Sequence, residues 1–343
     1  MFETVRRVDK VAGLTAAEID IDALIDGQRP VVFTGLARAM PLVRHGLEGP
    51  AKAADYIKSF YRGTPVVGYT GEPGIDGRFF YNDDVSGMNF RAERVPLDTY
   101  LDRILAGLDD PASPAFYVGS TDVDAYLPGL GADNALGVPA ALFGPMPPLV
   151  SIWIGNRTVA ATHYDMSNNL ACCMVGRRRF LLFQPDQVHN LYPGPLEPTP
   201  GGQVVSMVDP RAPDLGRYPG FADALAAAWV AELEPGDVLF YPALWWHQVE
   251  ALDRFNVMIN IWWNRSPRFM DTPMTTILHG LLSLRDRPEP ERRAWRALFD
   301  YYVFDQPDRA AAHLPDHARG PLGPMDEPTA RRLRASLLNR LNR

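Results

Sequence analysis

A histidine and a carboxylate stand two residues apart in the stretch "AATHYDMSNN", which otherwise has the composition of a strand. Side chains at positions i and i+2 of a strand project from the same face of the sheet. His163 and Asp165 therefore share one face, and Tyr164 points the other way. Imidazole and carboxylate groups are both ligands of divalent transition metals. The spacing predicts part of a metal centre.

A third ligand has to come from a distant strand, and His247 is the histidine in the right context. It ends the stretch "PGDVLFYPALWWH", which reads as a turn followed by a strand. Two imidazoles and one carboxylate form the set that holds ferrous iron and leaves coordination positions open. The remaining histidines lie in predicted loops, in an apolar helix or in a Pro-rich tail: His45, His189, His279, His313 and His317.

The alternative for each of these residues is structural. A single histidine on a strand is more often a hydrogen-bonded core or surface residue, and an isolated His-x-Asp is a common accident. Only the joint pattern, with both stretches in strand context, favours a metal site at His163, Asp165 and His247.

The elements that must position these residues are short strands bounded by turn signals. The segment "RFNVMINIWWN" alternates strictly, with apolar side chains on one face and asparagines and a tryptophan on the other, which predicts a strand lining a polar cavity. Strands are predicted within 29–37, 64–71, 77–90, 114–122, 149–156, 162–176, 177–185, 234–252 and 254–264.

Helical patterns flank the strands. Helices are predicted within 49–63, 96–108, 271–286, 288–305 and 327–343, and a Pro-, Gly- and Ala-rich loop at 126–148. The fold class is therefore mainly β with helices (α+β), with a β-barrel or double-sheet core. We predict a mixed α/β segment at 1–125, the core at 126–265 and a helical region at 266–343.

Composition narrows the function classes. The formal net charge is −7 and the pI about 5.5, which argues against nucleic acid as a partner because phosphate binding requires a basic surface. The adjacent Cys172 and Cys173 give no disulfide framework and are expected to be reduced thiols on opposite faces of a strand. No secretory signal and no run long enough to cross a bilayer is visible, so we expect a soluble, cytoplasmic protein.

Four stretches together resemble the cupin-like JmjC oxygenases, including the asparaginyl hydroxylase that inhibits hypoxia-inducible factor. They are "SIWIGNRTVAATHYD", "GRRRFLLFQPDQ", "PGDVLFYPALWWHQV" and "INIWWN"; the earlier "RPVVFTGLA" and "GRFFYNDD" resemble bacterial members. The resemblance extends over roughly residues 25–265. It implies a double-stranded β-helix (jelly-roll, cupin) core, Fe(II), 2-oxoglutarate and O2. Such enzymes hydroxylate carbon centres, commonly on protein side chains, and release succinate and CO2.

The resemblance also assigns roles to individual residues. His163, Asp165 and His247 match the iron ligands, and Arg178 stands where the relatives have a lysine that binds the distal carboxylate of 2-oxoglutarate. Arginine can hold a carboxylate bidentately. The alternative is a solvated basic run at 177–179, but strand alternation sends Arg178 to the opposite face from its two neighbours.

Further positions match residues around the metal and the co-substrate. Tyr117 matches a tyrosine that hydrogen-bonds the same carboxylate. The family's threonine three residues before the first ligand is Ala160 here, so either Thr158 or Thr162 replaces it or the bond is lost. The remaining matches, two polar groups near the metal and a ring beside the second histidine, are Asn169, Asn260 and Trp262.

The favoured function is hydroxylation of a protein side chain. The alternatives are a small molecule or an RNA-associated protein as substrate, demethylation of methyl-lysine, and a non-catalytic metal-binding cupin that acts as a sensor. The substrate is expected between the loops at 70–92 and 126–148, and its candidate contacts are Tyr69, Phe79, Phe80, Tyr81 and Asn82. The apolar wall is expected to come from Trp245, Trp246, Trp262 and Trp263, which are otherwise core residues. The helix predicted within 271–286 carries an apolar stripe that either packs on the barrel or forms a homodimer interface: Ile277, Leu278, Leu281, Leu282 and Leu284.

Overall fold

The computed structural model describes residues 2–144, 146–305 and 307–342, so Pro145 of the predicted 126–148 loop lies outside it. The chain forms two compact units, Met1–Arg265 and Ser266–Arg343. The predicted helical region coincides with the second unit, whereas the predicted division at 125/126 stays a prediction.

Fifteen strands lie in the first unit, within the described residues. They are β1 (Arg6–Arg7), β2 (Asp9–Ala12), β3 (Val31–Thr34), β4 (Val66–Gly71), β5 (Arg78–Phe79), β6 (Phe90–Val95), β7 (Ala115–Asp122), β8 (Leu149–Gly155), β9 (Val159–Tyr164), β10 (Asn168–Val175), β11 (Arg178–Phe183), β12 (Trp229–Leu233), β13 (Val238–Tyr241), β14 (Trp246–Ala251) and β15 (Asn256–Trp263).

The α-helices of the first unit cover one sheet or join strands. They are α1 (Ile21–Gly27), α2 (Pro41–Glu48), α3 (Pro50–Phe60), α4 (Leu97–Ala106), α5 (Val123–Tyr126), α6 (Leu130–Asp133) and α7 (Phe221–Ala227). The second unit contains α8 (Pro273–Ser283), α9 (Glu289–Phe299), α10 (Pro307–Ala311) and α11 (Glu327–Leu341). None of the helices in the described ranges has both the length and the apolar character that crossing a bilayer requires.

Strands β8 to β15 are distributed over two facing sheets. β8, β10, β13 and β15 are in the nine-stranded sheet, and β9, β11, β12 and β14 are in the six-stranded sheet. Neighbouring strands within each of these sets of four are antiparallel. This arrangement is a double-stranded β-helix, or jelly roll. The predicted fold class is confirmed.

The strands before β8 extend both sheets at their edges. In the large sheet β2 and β3 lie beyond β13, and β7, β4 and β6 lie beyond β8; in the small sheet β1 and β5 form the two edges. Strand β7 carries Tyr117, which therefore reaches the jelly roll from outside its eight strands.

Two apolar layers lie on opposite faces of the inner strands of the large sheet. Cys172 packs in the cluster between the large sheet and the helices, whereas Cys173 packs between the two sheets. Both thiols are free and buried, as expected from alternation. On β15, Ile259 faces the helix side and Met258 the space between the sheets, so the alternation of that strand is as predicted.

Three local predictions were wrong. His45, expected in a loop, lies on α2 and stacks on Tyr56 with 4.7 Å between the ring centroids. The run ending at His247 forms two strands rather than one, because Pro242 cannot donate to a ladder and Leu244 turns the chain with a φ of 67°. Helix α7 and strand β12 were not predicted.

The turn that leads into β11 depends on Gly176, which has a φ of +69°. A Cβ there would lie 2.5 Å from the Phe255 carbonyl oxygen. We expect Gly176→Ala to lower the free energy of unfolding by about 3 kcal/mol, from the left-handed conformation plus the clash. Gly13→Ala is the matched control, because it has a φ of +79° and open space around it. Its expected loss is about 1–2 kcal/mol; equal losses in a urea titration would contradict the clash.

Candidate metal centre

The register of two strands brings the predicted metal ligands together. His163 on β9 lies directly opposite His247 on β14, and Asp165 follows immediately after β9. The backbone N–H of Leu244 donates to the Asp165 carbonyl at 2.8 Å and fixes that residue beside the strand pair. The ligating atoms of the three residues all lie within 4.8 Å of one another. His247 Nε2 is 3.6 Å from Asp165 Oδ2.

Backbone carbonyls orient both imidazoles. Nδ1 of His163 lies 2.8 Å from the Ala161 oxygen, and Nδ1 of His247 lies 3.0 Å from the Trp245 oxygen. Each carbonyl can only accept, so each Nδ1 carries the proton and donates. The Nε2 lone pairs are then free to bind a metal, the arrangement typical of metal-ligating histidines.

Burial sets the charge of the cluster. Burial and the neighbouring His163 hold the pKa of His247 well below its usual range, so this imidazole is neutral. Burial raises the pKa of Asp165, against the opposing influence of His163. A bound divalent cation favours the ionised carboxylate and needs neutral imidazoles. The donor set therefore fits a divalent metal such as iron.

A small cavity of about 40 Å³ adjoins these three residues between the sheets. Besides the three clustered residues, three more of the predicted site residues lie in its wall: Tyr117, Asn260 and Trp262. Asn260 Oδ1 and Trp262 Nε1 are buried and have no hydrogen-bond partner among the described residues. Buried polar atoms in native proteins are nearly always paired, so these two fit a polar ligand in the cavity.

A hydrogen-bond chain connects the predicted asparagines to the metal centre. Asn260 Nδ2 donates to Asn169 Oδ1 at 2.6 Å, and Asn169 Nδ2 donates to the Tyr241 hydroxyl. That hydroxyl lies 3.4 Å from His247 Nε2. Tyr241 was not predicted. The signal that could have found it is its position, inward-facing at the end of β13 and directly opposite Asn169.

Arg178 is a buried cation without a partner. Only 2 % of it is exposed, and Nε and Nη2 make no hydrogen bond to any described residue. Burial lowers the pKa of Arg178. Leaving a buried charge uncompensated costs several kcal/mol, so this guanidinium fits an anionic ligand. Burial raises the pKa of the nearby Tyr117, which keeps that phenol a neutral hydrogen-bond donor.

The strand register sets how far the backbone of Arg178 lies from the histidine pair. Arg178 faces inward on β11, four residues before Leu182, which is paired with His247. Four residues of strand span about 13 Å. Arg177 and Arg179 face outward and pair with carboxylates, Arg177 with Asp253 at 2.9 Å and Arg179 with two glutamates. The alternation predicted for the basic run is therefore what the structure has.

A bulge changes which β9 residues face the site. Ala160 and His163, three apart, oppose Val249 and His247, two apart, so Ala160 shares the wall of the cavity with His163. Neither Thr158 nor Thr162 is in that wall, although both are buried. The predicted replacement of the family threonine by Thr158 has no support from this geometry.

The four tryptophans divide between the site and the core. Trp262 lines the cavity beside His247. Trp245, Trp246 and Trp263 instead pack in three separate apolar clusters. The apolar wall predicted from all four thus retains one of them.

Comparison with protein families places this site. The model of the Cupin-like domain matches residues 16–269. The chain belongs to the Cupin-like domain family. This cupin-like protein is 31% identical to the zebrafish (Danio rerio) tRNA wybutosine-synthesizing protein 5 over 202 residues, which cover 54% of the chain and 57% of that relative. The resemblance to cupin-like JmjC proteins is confirmed.

Two other relatives carry names that describe a reaction on lysine. The human bifunctional peptidase and (3S)-lysyl hydroxylase JMJD7 is 30% identical over 207 residues, 54% of this chain and 65% of that protein. The Arabidopsis thaliana lysine-specific demethylase JMJ31 is 31% identical over 129 residues, 36% of this chain and 23% of that protein. The matched region thus spans less than two thirds of each of these relatives.

Metal binding at the three clustered residues can be tested by its effect on the free energy of unfolding. We expect Mn2+, at about 100 times its Kd, to raise the free energy of unfolding by about 2.7 kcal/mol. His163→Ala and His247→Ala should abolish this increase, because each removes one of three ligands. His189→Ala is the control, since His189 is exposed and not one of the three clustered residues. An increase that persists in both site variants would exclude this metal centre.

Proposed function

We propose that the protein is an Fe(II)- and 2-oxoglutarate-dependent dioxygenase that hydroxylates a side chain of a protein substrate and releases succinate and CO2. One observation carries the proposal: a His–Asp–His cluster and an unpaired, buried Arg178 face the same space between two sheets. The cluster suits the metal, and the arginine suits the far carboxylate of a dicarboxylic acid.

The relatives support a protein substrate. One is named a lysyl hydroxylase and another a lysine-specific demethylase. A small-molecule substrate and a non-catalytic sensor remain the alternatives, and the experiments below separate them from the proposal.

The residues of this chain divide the work between them. His163, Asp165 and His247 would hold the metal, with imidazole tautomers fixed by two backbone carbonyls. Iron and 2-oxoglutarate, when bound, supply the oxidising power that no amino-acid side chain has. Arg178 would bind the distal carboxylate bidentately, and the Tyr117 hydroxyl would donate to it.

The polar chain has a positioning role in this proposal. When His247 Nε2 binds metal, its lone pair is no longer available to the Tyr241 hydroxyl. That hydroxyl is buried and already accepts from Asn169, so its proton needs a new acceptor. An oxygen of a ligand held at the metal centre would serve as such an acceptor. The surrounding side chains of Val249, Met258 and Trp262 exclude water from this space.

Replacing Arg178 separates function from stability. We expect Arg178→Met to leave the free energy of unfolding of the ligand-free protein unchanged or to raise it by about 1–4 kcal/mol, because an unpaired buried cation is lost. The same change should abolish the stabilisation by 2-oxoglutarate and the release of succinate with Fe(II). Urea titrations with and without 2-oxoglutarate, and a succinate assay, measure the two effects.

Arg179→Met is the matched control, since its side chain lies one position along β11 and faces outward. It should keep both 2-oxoglutarate binding and turnover. Wild-type protein that neither binds 2-oxoglutarate nor releases succinate would refute the oxygenase and favour the sensor. Turnover that is stimulated by metabolites and not by any protein fraction would favour a small-molecule substrate.

We also propose that the second unit forms the interface of a homodimer. Fifteen of the twenty-three exposed large apolar side chains among the described residues lie in 266–343. The most exposed are Leu282 on α8, at 77 %, and Phe304, which follows α9, at 69 %. Apolar patches of this kind mark interaction sites on soluble proteins. A second copy of the chain would cover them symmetrically.

The homodimer predicts a specific change in mass. We expect Leu282→Glu or Phe304→Glu to convert a dimer into a monomer, because each places a charge in an apolar contact. Leu47→Glu is the control, since Leu47 is 65 % exposed but lies in the first unit. Light scattering during size-exclusion chromatography at micromolar concentration measures the molecular mass and so distinguishes the dimer from the monomer. A monomeric wild-type protein would exclude the dimer.

A further inference from the structure

A second, larger cavity opens beside His163, and Asp165 is not in its wall. Its volume is about 120 Å³, and we call it the outer cavity. It shares Tyr117, Trp153, Ala160 and His163 with the small cavity at the metal centre. The outer cavity is therefore the space through which a group can reach the metal centre from this side.

A row of aromatic rings forms much of its wall. The ring centroids of Tyr69 and Phe90 are 5.4 Å apart, those of Phe90 and Phe79 5.3 Å, and those of Phe79 and Tyr117 5.6 Å. Trp153 continues the row at 5.9 Å from Tyr117. Rings at these spacings hold one another in offset or edge-to-face contact. The wall is thus rigid and apolar.

Of the sequence-predicted substrate contacts, Tyr69 and Phe79 lie in this wall. Phe80 and Tyr81 are outside the wall and pack against two of its residues, Ala161 and Val205, whereas Asn82 bonds within its own loop. The loop at 126–148, expected to border the substrate, contributes none of its described residues to the outer cavity. The segment around Gln203 and Val205 does, held to β9 by a bridge between His163 and Val205.

The outer cavity carries no formal charge. No Asp, Glu, Lys or Arg is among the described residues that line it. The polar side chains that line it are all uncharged as long as the imidazole is neutral, and they are Ser120, Gln203, Tyr69, Tyr117, Trp153 and His163. Burying an ion without a partner is strongly unfavourable. Aromatic faces do attract cations, but no carboxylate in the wall would complete such a site.

We propose that the outer cavity is the specificity pocket of the enzyme and receives an uncharged apolar or aromatic side chain of the substrate. The volume suits such a group, since an apolar cavity of about 150 Å³ binds benzene. This inference rests on the proposed function, because only that proposal gives the protein a substrate. It predicts that leucine-, methionine- or phenylalanine-like groups enter and that lysine- or glutamate-like groups do not.

Three small probes test this pocket in the full-length protein: toluene, n-butylammonium and propionate, which carry the side-chain chemistry of phenylalanine, lysine and glutamate. Saturation-transfer NMR should detect toluene, with much weaker or no signal for the two ions. Phe90→Ala removes a ring that lines the outer cavity but not the small one. We expect it to weaken toluene binding about fivefold or more and to leave 2-oxoglutarate binding unchanged.

Phe116→Ala is the matched control. Phe116 is the residue before Tyr117 on β7, points to the opposite face and contacts Tyr100 in the helix-side cluster. It should retain wild-type affinity for toluene. Gln203→Glu adds a carboxylate at nearly constant volume and should shift the preference towards n-butylammonium.

Tighter binding of n-butylammonium or propionate than of toluene to the wild type would overturn the proposal, as would no binding of any probe. Toluene binding that is equal in Phe90→Ala and Phe116→Ala would overturn it too. Because 2-oxoglutarate binding is measured on the same samples, the pocket and the oxygenase proposal can fail separately.

Discussion

The pairing of β9 with β14 is the constraint on which the site depends. His163 and His247 are cross-strand neighbours, so both imidazoles face the space between the sheets. A slip of one residue would turn every side chain of one strand to the other face. Two hydrogen bonds hold this register at the strand ends. The Leu244 N–H donates to the Asp165 carbonyl, and the Ala243 N–H donates to Asn168 Oδ1 at 3.1 Å.

Unpaired polar groups collect around this strand pair. Trp153 Nε1, Asn260 Oδ1, Trp262 Nε1 and two nitrogens of Arg178 are buried there without partners among the described residues. A core selected for stability alone would not retain them, because each leaves a desolvation cost uncompensated. Unpaired atoms of the same kind also occur elsewhere, for example on Tyr61 and Gln248. Those on Trp153, Asn260 and Trp262 differ because their side chains line the small cavity, where a ligand can pair with them.

Alternation with period two made much of this predictable from the sequence. It placed His163 with Asp165, sent Arg178 inward between two outward arginines, and assigned Met258 and Asn260 to the face opposite Ile259. What it could not supply was anything that breaks the period. The bulge that brings Ala160 into the wall beside His163 inserts one residue, and nothing in the local composition marks it.

The pairing of residues far apart in the chain could not be predicted from the sequence either. Tyr241 looks like one apolar residue in the run "VLFYPALWW", and its role follows only from lying opposite Asn169 on β10. The segment around Gln203 and Val205 has loop composition, and its contact with β9 depends on tertiary packing that the local sequence does not show. Residues whose function comes from a partner far along the chain carry no local signal, whereas metal ligands do because their chemistry restricts their type.

Charge divides the space around the metal centre into two parts. The Cα atom of Arg178 lies about 13 Å along the strands from the row of the histidine pair, estimated from the strand rise, and the uncharged aromatic wall adjoins His163. A dicarboxylic acid gains from the first region and would be poorly solvated in the second; an apolar group gains only from the second. Under the proposed function, the two ligands would approach one centre without competing for the same walls, since each region disfavours the other's charge. A buried cation without a partner among the described residues would then be explained by a ligand that supplies the missing carboxylate.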